Sequence, residues 1–463
     1  MTHSSDPRRQ LPAVSSLLER PAVQYLLERF PRPHVLEAIR ACLEQCRMAP
    51  EDPAPTPESI DQRIEEVLMM MERDRLRPVV NGTGVVLHTG LGRAVLPPAA
   101  AAALARMDRC CNLQMDLETG LRGKRNASSE EILCEITGAE AALLVNNNAA
   151  ATLLVLAALC SEREVVVSRG QLIEIGGSYR LPDCIHQSGA RMMEVGTTNK
   201  THLRDYEAAV RDQTAAFLRV NPSNYRIVGF SNQVSTRDLT VLRDSLKPQN
   251  ILVIDDLGCG ALVDLQDYGL PEEPTVQDSI AAGADICCFS GDKLIGGPQS
   301  GIIIGRKELV QKIRKHPLTR MLRVGKLTDA ALEATLRLFL EPTRLLDRHP
   351  TLCMLAKDAD GIRGRAEALL ATIRQRCPEL TTEIRSDWSA VGGGSLPDTP
   401  LPTFCVCLQH PRLDCEEFAR ALRISEPPVI PRISEGEVRI DVRTLLDGDD
   451  VIIVEVLTRL SSM

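Results

Sequence analysis

The stretch ADICCFSGDKLIGGPQSGIIIG, residues 284–305, sets two short apolar runs on either side of a turn rich in Gly and Pro, with one lysine, Lys293, inside the turn. Neither run alternates polar with apolar residues. That pattern belongs to strands buried on both faces of a sheet rather than strands with one face in water. The same kind of run recurs upstream as AALLV (141–145), EVVVS (164–168), RMMEVG (191–196), AAFLRVN (215–221) and NILVIDD (250–256), each separated from the next by a helical segment. Strand-type runs alternating with helices predict an α/β fold built on a parallel sheet with helices over both faces.

Ligands of open parallel α/β sheets gather at the carboxyl ends of the strands. Here AALLV leads into NNNAAAT, Asn146 to Thr152; ILVI leads into Asp255 and Asp256; ICCF leads into Ser290, Gly291, Asp292 and Lys293. A lysine at one strand end, an acid at another and a small-residue turn entering a helix form a specific trio for pyridoxal phosphate. The lysine forms an imine with the cofactor and later moves protons. The acid keeps the pyridine nitrogen protonated, and the turn offers backbone N–H groups and a helix N-terminus to the phosphate. Singly, each signal has a plain reading: a lysine in a turn is usually solvated, and an acid after a strand is usually a helix cap. Together and in this order they favour the cofactor. No G-x-x-x-x-G-K-[ST] loop competes, and TGLGRAV (89–95) shares only its first two glycines with a dinucleotide fingerprint.

Length and charge bound the rest. A chain of 463 residues exceeds one compact core, and three segments are expected: a helical 1–76 with a Pro-rich linker, a large cofactor-binding domain over 77–340, and a smaller α+β domain over 341–463. No apolar run approaches the ~20 residues of a membrane span. The opening MTHSSDPRRQLPA also lacks a signal-peptide core, so a cytoplasmic location is expected. Fifteen cysteines, odd in number and mostly embedded in apolar runs, read as reduced buried thiols. Their close sets, such as Cys287/Cys288 and Cys405/Cys407, lack a second half, so no metal site is expected. The net charge of −8 argues against indiscriminate nucleic-acid binding, yet residues 306–326 carry eight Lys or Arg against one Glu. Residues 11–47 read as short amphipathic helices broken at Pro21 and at Pro31/Pro33. Residues 1–47 carry seven arginines against five acids, and 51–75 three against eight.

NGTGVVLHTGLGRA (81–94), LVNNNAAA (144–151), EVVVSRGQLIEIGGSYRLPD (164–183), EVGTTNKTH (194–202), SNYRIVGF (223–230), DLGCGALVDL (256–265), FSGDKLIGGPQSGIIIG (289–305) and ALEATLRLFL (331–340) together resemble the bacterial selenocysteine synthases, the L-seryl-tRNA(Sec) selenium transferases. The resemblance covers nearly the whole chain. It implies the aspartate aminotransferase-like fold (fold type I), pyridoxal 5'-phosphate on Lys293, a ring-shaped homodecamer built from dimers, and capture of the tRNA by the N-terminal domain. It also implies the reaction: elimination of the serine hydroxyl to leave an aminoacrylyl-tRNA, then addition of selenium from selenophosphate.

Residue by residue, the resemblance makes Lys293 the imine-forming and proton-moving group. Asp256 is the partner of the pyridine nitrogen, with Asp255 as the alternative, and Asp292 is a helper in hydroxyl departure or in tuning the lysine. Asn148, Ala149 and Ala150 become phosphate donors, although Asn148 could instead cap its helix. Arg93, Arg320 and Arg323 become the forked hydrogen-bond donors to selenophosphate. The chain departs from the family pattern at Gly90, Gln171, Asn221 with Pro222, and Gly325, none of which removes the lysine, the acid or the arginines. Two rival readings are a β-lyase or ammonia lyase acting on a free small amino acid, and a catalytically silent tRNA-binding module.

Overall fold

The computed structural model describes residues 11–48, 55–246 and 250–461. It divides into two compact units, residues 1–78 and residues 79–463.

In the first unit, helices Val14–Leu18, Pro21–Arg29, Arg32–Met48 and Pro57–Met71 enclose a core that includes Leu17, Leu26, Ile39, Leu43, Ile64 and Leu68. The prolines act here as starts. Pro21 and Pro57 sit in first turns, where a missing N–H leaves no bond unmade, and Thr56 caps the last helix by accepting from the Ser59 amide at 3.2 Å. Arg20 forks onto Asp61 at 2.7–2.9 Å, tying the second helix to the fourth.

The second unit is centred on a seven-stranded sheet. Its spatial order is Ala141–Val145, Gly301–Gly305, Ile286–Ser290, Leu252–Gly258, Thr214–Val220, Glu164–Ser168 and Arg191–Val195. All seven are the runs that the sequence marks. The sheet is mostly parallel, as the runs predict, with Gly301–Gly305 antiparallel to both its neighbours. A parallel return needs a crossover of a dozen or more residues. Only 291–300 separate the two strands of the opening stretch, so the second must run back along the first.

Segment 341–463 supplies a four-stranded antiparallel sheet, ordered Thr381–Ala390, Pro400–Gln409, Glu437–Asp441 and Arg432–Ser434. Its core is shared with helices Ala359–Arg376, Cys415–Ile424 and Asp449–Ser461. Residues just after 78 join this layer. Val80–Asn81 pairs with Val429–Ile430, Val80 lies in the same core, and Val86 and Leu87 bond to Ala390 and Val391. The chain therefore crosses the C-terminal layer before it builds the large sheet. Ten of the fifteen cysteines are buried, and among the described residues no helix is long and apolar enough to cross a membrane.

Candidate active site

Four strand ends converge on one cavity of about 230 Å³, whose lining includes Arg93, Asn148, Asn221, Asp256, Asp292 and Lys293. Lys293 follows Ile286–Ser290 in a turn closed by the Gly296 amide on the Lys293 carbonyl at 2.9 Å. Its side chain is buried, and its amine has no hydrogen-bond partner among the described residues. Burial holds its pKa below the ordinary lysine value. The Arg93 charge adds to that, and Asp292 and Asp256 oppose it.

Asp255 and Asp256 are consecutive in the strand Leu252–Gly258, and side chains alternate across a strand, so only one can face the cavity. It is Asp256. Its two oxygens accept from Asn148 Nδ2 at 2.7 Å and from Thr152 Oγ1 at 2.8 Å, both on helix Asn148–Cys160. Burial pushes its pKa up, against the pull of these two bonds and of Lys293. Asp255 points to the other face, where Arg219, Thr236 and Ser279 hold it at 2.7–2.8 Å. It takes no part in the cavity.

The first turn of helix Asn148–Cys160 carries the expected phosphate donors, with a division among them. Asn147 is the cap: its Oδ1 accepts the Ala150 amide at 2.9 Å. Ala150 is therefore already committed and does not line the cavity, whereas Asn148 and Ala149 do. The amides of Asn148 and Ala149 have no acceptor among the described residues, as expected at a helix start. The Asn148 Oδ1 is likewise buried without a partner.

Arg93 reaches the cavity from a left-handed position (φ 64°) and gives its Nη1 to Asp292 Oδ2 at 2.7 Å. Arg320 and Arg323 do not join it. They line a second cavity of about 430 Å³ with Lys124, Arg125, Arg314 and Lys315, so one chain does not bring the three arginines together.

The positions that depart from the family pattern are also placed. Asn221 lines the cavity and donates to Glu273 Oε1 at 2.9 Å, which Cys259 Sγ also approaches at 2.7 Å. Burial raises the pKa of Glu273. Gln171 stands buried where the family pattern has an acid, and its Oε1 accepts the Val220 amide at 3.1 Å. Gly325 precedes helix Lys326–Leu336 without the side-chain cap that an acid there would supply. Tyr179 and Ser223 complete the walls; SNYR holds Ser223, but the motif alone does not say which wall it forms.

Comparisons with known proteins bear on the whole chain. Residues 79–446 match the family model described as L-seryl-tRNA selenium transferase, and residues 8–47 match the one described as selenocysteine synthase N terminal. The chain is 46% identical over 451 residues to the L-seryl-tRNA(Sec) selenium transferase of Moorella thermoacetica, covering 95% of this chain and 94% of that protein. It is 44% identical to the protein of the same name from Alkaliphilus metalliredigens, with 97% of each covered. Among solved structures, D-glucosaminate-6-phosphate ammonia-lyase aligns with a TM-score of 0.57 at 19% identity, over 84% of this chain and 96% of that one. At that identity the likeness speaks for the fold alone, the aspartate aminotransferase-like fold type I.

Proposed function

The chain belongs to the L-seryl-tRNA selenium transferase family, and from that premise we propose that it converts L-seryl-tRNA(Sec) to L-selenocysteinyl-tRNA(Sec) with pyridoxal phosphate on Lys293 and selenophosphate as the selenium donor. The observation that carries the reading is the meeting of Lys293, Asp256 and the open first turn of Asn148–Cys160 in one cavity.

The residues fit the cofactor. Asp256 is a buried carboxylate with two neutral donors and, among the described residues, no cation in ion-pair contact, a state that a protonated ring nitrogen would relieve. Lys293 would hold the aldehyde carbon, and the amides of Asn148 and Ala149 would meet the phosphate at a helix N-terminus. When bound, the cofactor supplies a sink for the electrons left at Cα. Lys293, buried and depressed in pKa, takes the Cα proton of the seryl group and returns it after selenium transfer. Asp292 fixes Arg93 beside this lysine, and the remaining N–H groups of Arg93 bind the selenophosphate anion.

Arg320 and Arg323 line a different cavity of the same chain. For them to hold the same anion, that cavity has to face Lys293 of a second copy. This requirement supports a homo-oligomer, and we assign the ring-shaped decamer of the family resemblance. The helical unit captures the tRNA, and the cytoplasm, where charged tRNA resides, is the compartment. A lyase acting on a free amino acid would leave the helical unit, which matches the selenocysteine synthase N-terminal model over residues 8–47, without a task. Incubation of the purified protein with seryl-tRNA(Sec) and selenophosphate, followed by analysis of the aminoacyl group, tests the proposal. Selenocysteine on the tRNA is the expected result, and recovery of serine alone overturns it.

A further inference from the structure

Between strands Thr381–Ala390 and Pro400–Gln409 the chain reads VGGGSLPDT, residues 391–399. Gly392, Gly393 and Gly394 all lie in the left-handed region, at φ 76°, 61° and 73°, and the Ser395 amide closes the turn on the Gly392 carbonyl at 3.2 Å. Glycine is needed twice over. A Cβ on Gly392 would lie 2.5 Å from Val85 Cγ1, and one on Gly393 would lie 2.9 Å from the Leu87 carbonyl oxygen. A Cβ on Gly394 would stand 3.4 Å from Lys293 Nζ, so the backbone of the C-terminal layer comes up against the reactive amine itself.

The turn is also unsatisfied. The amides of Gly392, Gly393 and Gly394 have no acceptor among the described residues. Ser395 is 2% exposed, and its Oγ is buried with no hydrogen-bond partner. These groups line an open cavity of about 700 Å³, and Ser223 lines both this cavity and the Lys293 cavity. Native proteins rarely leave a buried hydroxyl unpaired, and its partner here must come from outside the chain. The lining set of this cavity contains no Lys, Arg or His, and it includes one carboxylate, Asp398.

We propose that the turn Gly392–Ser395 is the site for the ester carbonyl of the aminoacyl group, and that it selects an aminoacyl ester over a free amino acid. The proposal rests on Lys293 as the residue that handles Cα. A carbonyl bonded to Cα falls next to that amine, where Gly394 stands. An ester carbonyl is neutral and takes neutral donors, which are all that the turn itself offers, and the one charged residue in the lining of this cavity, Asp398, is a carboxylate. As the Cα proton leaves, electron density moves onto the same carbonyl oxygen. Fixed donors aimed at it then stabilise the charge as it develops.

The test uses the full-length holoenzyme, with Ser395→Ala, which removes only a hydroxyl, and Gly394→Ala, which crowds Lys293. L-Serine methyl ester and L-serine are titrated against each form and followed through the visible spectrum of the bound cofactor; kcat and KM are measured separately with seryl-tRNA(Sec). The wild type is expected to bind the ester at lower concentration than free serine. Ser395→Ala should weaken ester binding, and kcat/KM for seryl-tRNA, by about ten- to a hundredfold while leaving the response to free serine in place. Ester affinity equal to wild type in Ser395→Ala would overturn the proposal even if Gly394→Ala failed to fold. The two readings fail separately. If the wild type does not convert seryl-tRNA yet Ser395→Ala still loses the ester, the proposed function falls and the ester site stands; if conversion is normal and the ester response is unchanged, the site falls alone.

Discussion

Asp292 Oδ2 accepts a 2.7 Å hydrogen bond from Arg93 Nη1 one residue before Lys293, so the charges of an ion pair both act on the buried lysine. Burial lowers the lysine pKa most, Arg93 lowers it further, and Asp292 raises it. Opposite shifts should therefore follow from breaking the pair at either end. In Arg93→Ala the pH midpoint of the lysine-bound cofactor band should rise, and in Asp292→Asn it should fall. Spectral titration of both variants checks this, and shifts in the same direction would mean that the pair does not act on Lys293 electrostatically.

The two chemical halves should separate at Arg93. Loss of the serine hydroxyl needs Lys293 and the cofactor, whereas transfer also needs the donor anion held nearby. Losing one charge-assisted hydrogen bond costs about 1.5–3 kcal/mol, roughly ten- to a hundredfold. Arg93→Ala should raise the selenophosphate requirement by that factor while donor-free dehydration of seryl-tRNA continues. Arg320→Ala and Arg323→Ala should behave alike. If all three lost dehydration as completely as transfer, they would serve the tRNA or the cofactor instead.

Lys293→Ala should lack the visible band that borohydride removes and should have no turnover, because both the imine nitrogen and the base nearest Cα are gone. Asp256→Asn keeps the contacts to Asn148 and Thr152 in shape but removes the charge. It should retain the band and lose about ten- to a hundredfold in turnover. Asp255→Asn, which breaks the Arg219 pair on the far face, should instead lower stability with the cofactor spectrum unchanged.

Six of the seven strand-type runs became strands buried over nearly their whole length, which removes the need for polar positions; the seventh, Arg191–Val195, is a largely exposed edge strand that keeps Arg191 and Glu194. The strand Thr381–Ala390 was not legible in the same way. Much of it is exposed, and TTEIRSDWSA carries a polar pattern that fits a loop as well. The direction of Gly301–Gly305 was a matter of connection length rather than composition. At the site, Lys293, Asp255 and Asp256 stand at strand ends in the sequence and the resemblance favours Asp256, the one of the two acids that the pleat turns toward the cavity. Long-range partners such as Glu273 beneath Asn221, or Gly394 against Lys293, leave no local spacing to read.

His349 offers a pH test of the turn that carries Lys293. It is buried, its Nε2 donates to the Ile295 carbonyl at 2.8 Å, and its Nδ1 accepts the Leu352 amide at 3.1 Å, so the neutral ring is the one that fits. Burial lowers its pKa from 6.5 to about 4. Between these values the unfolded chain binds a proton that the folded chain does not, so stability falls as pH drops through that window. The loss totals about 3 kcal/mol by pH 4. Urea midpoints from pH 7 to pH 4 should show this slope, and His349→Leu should flatten it even if it lowers stability at pH 7.

The exposed arginines of the helical unit allow its proposed tRNA capture to be tested despite the acidic chain. Arg29, Arg32, Arg40 and Arg47 are exposed on helices Pro21–Arg29 and Arg32–Met48, while Arg20 is spent on Asp61. The helix Pro57–Met71 is the acidic one and offers little to phosphate. Each phosphate neutralised by an arginine releases counterions, so removing a true contact lowers the slope of log K against log salt by about 0.9. Substituting Arg29, Arg32 and Arg40 by Ala together should weaken binding of tRNA(Sec) and reduce that slope by about 2 to 3. The cofactor spectrum should stay unchanged, since every residue proposed to hold the cofactor lies beyond residue 78. Deleting residues 1–78 should reduce tRNA affinity further, again with the spectrum intact. Unchanged affinity in the deletion would remove the helical unit from tRNA capture. A loss of affinity without a change in salt slope would mean that the unit holds the tRNA through contacts other than these arginines.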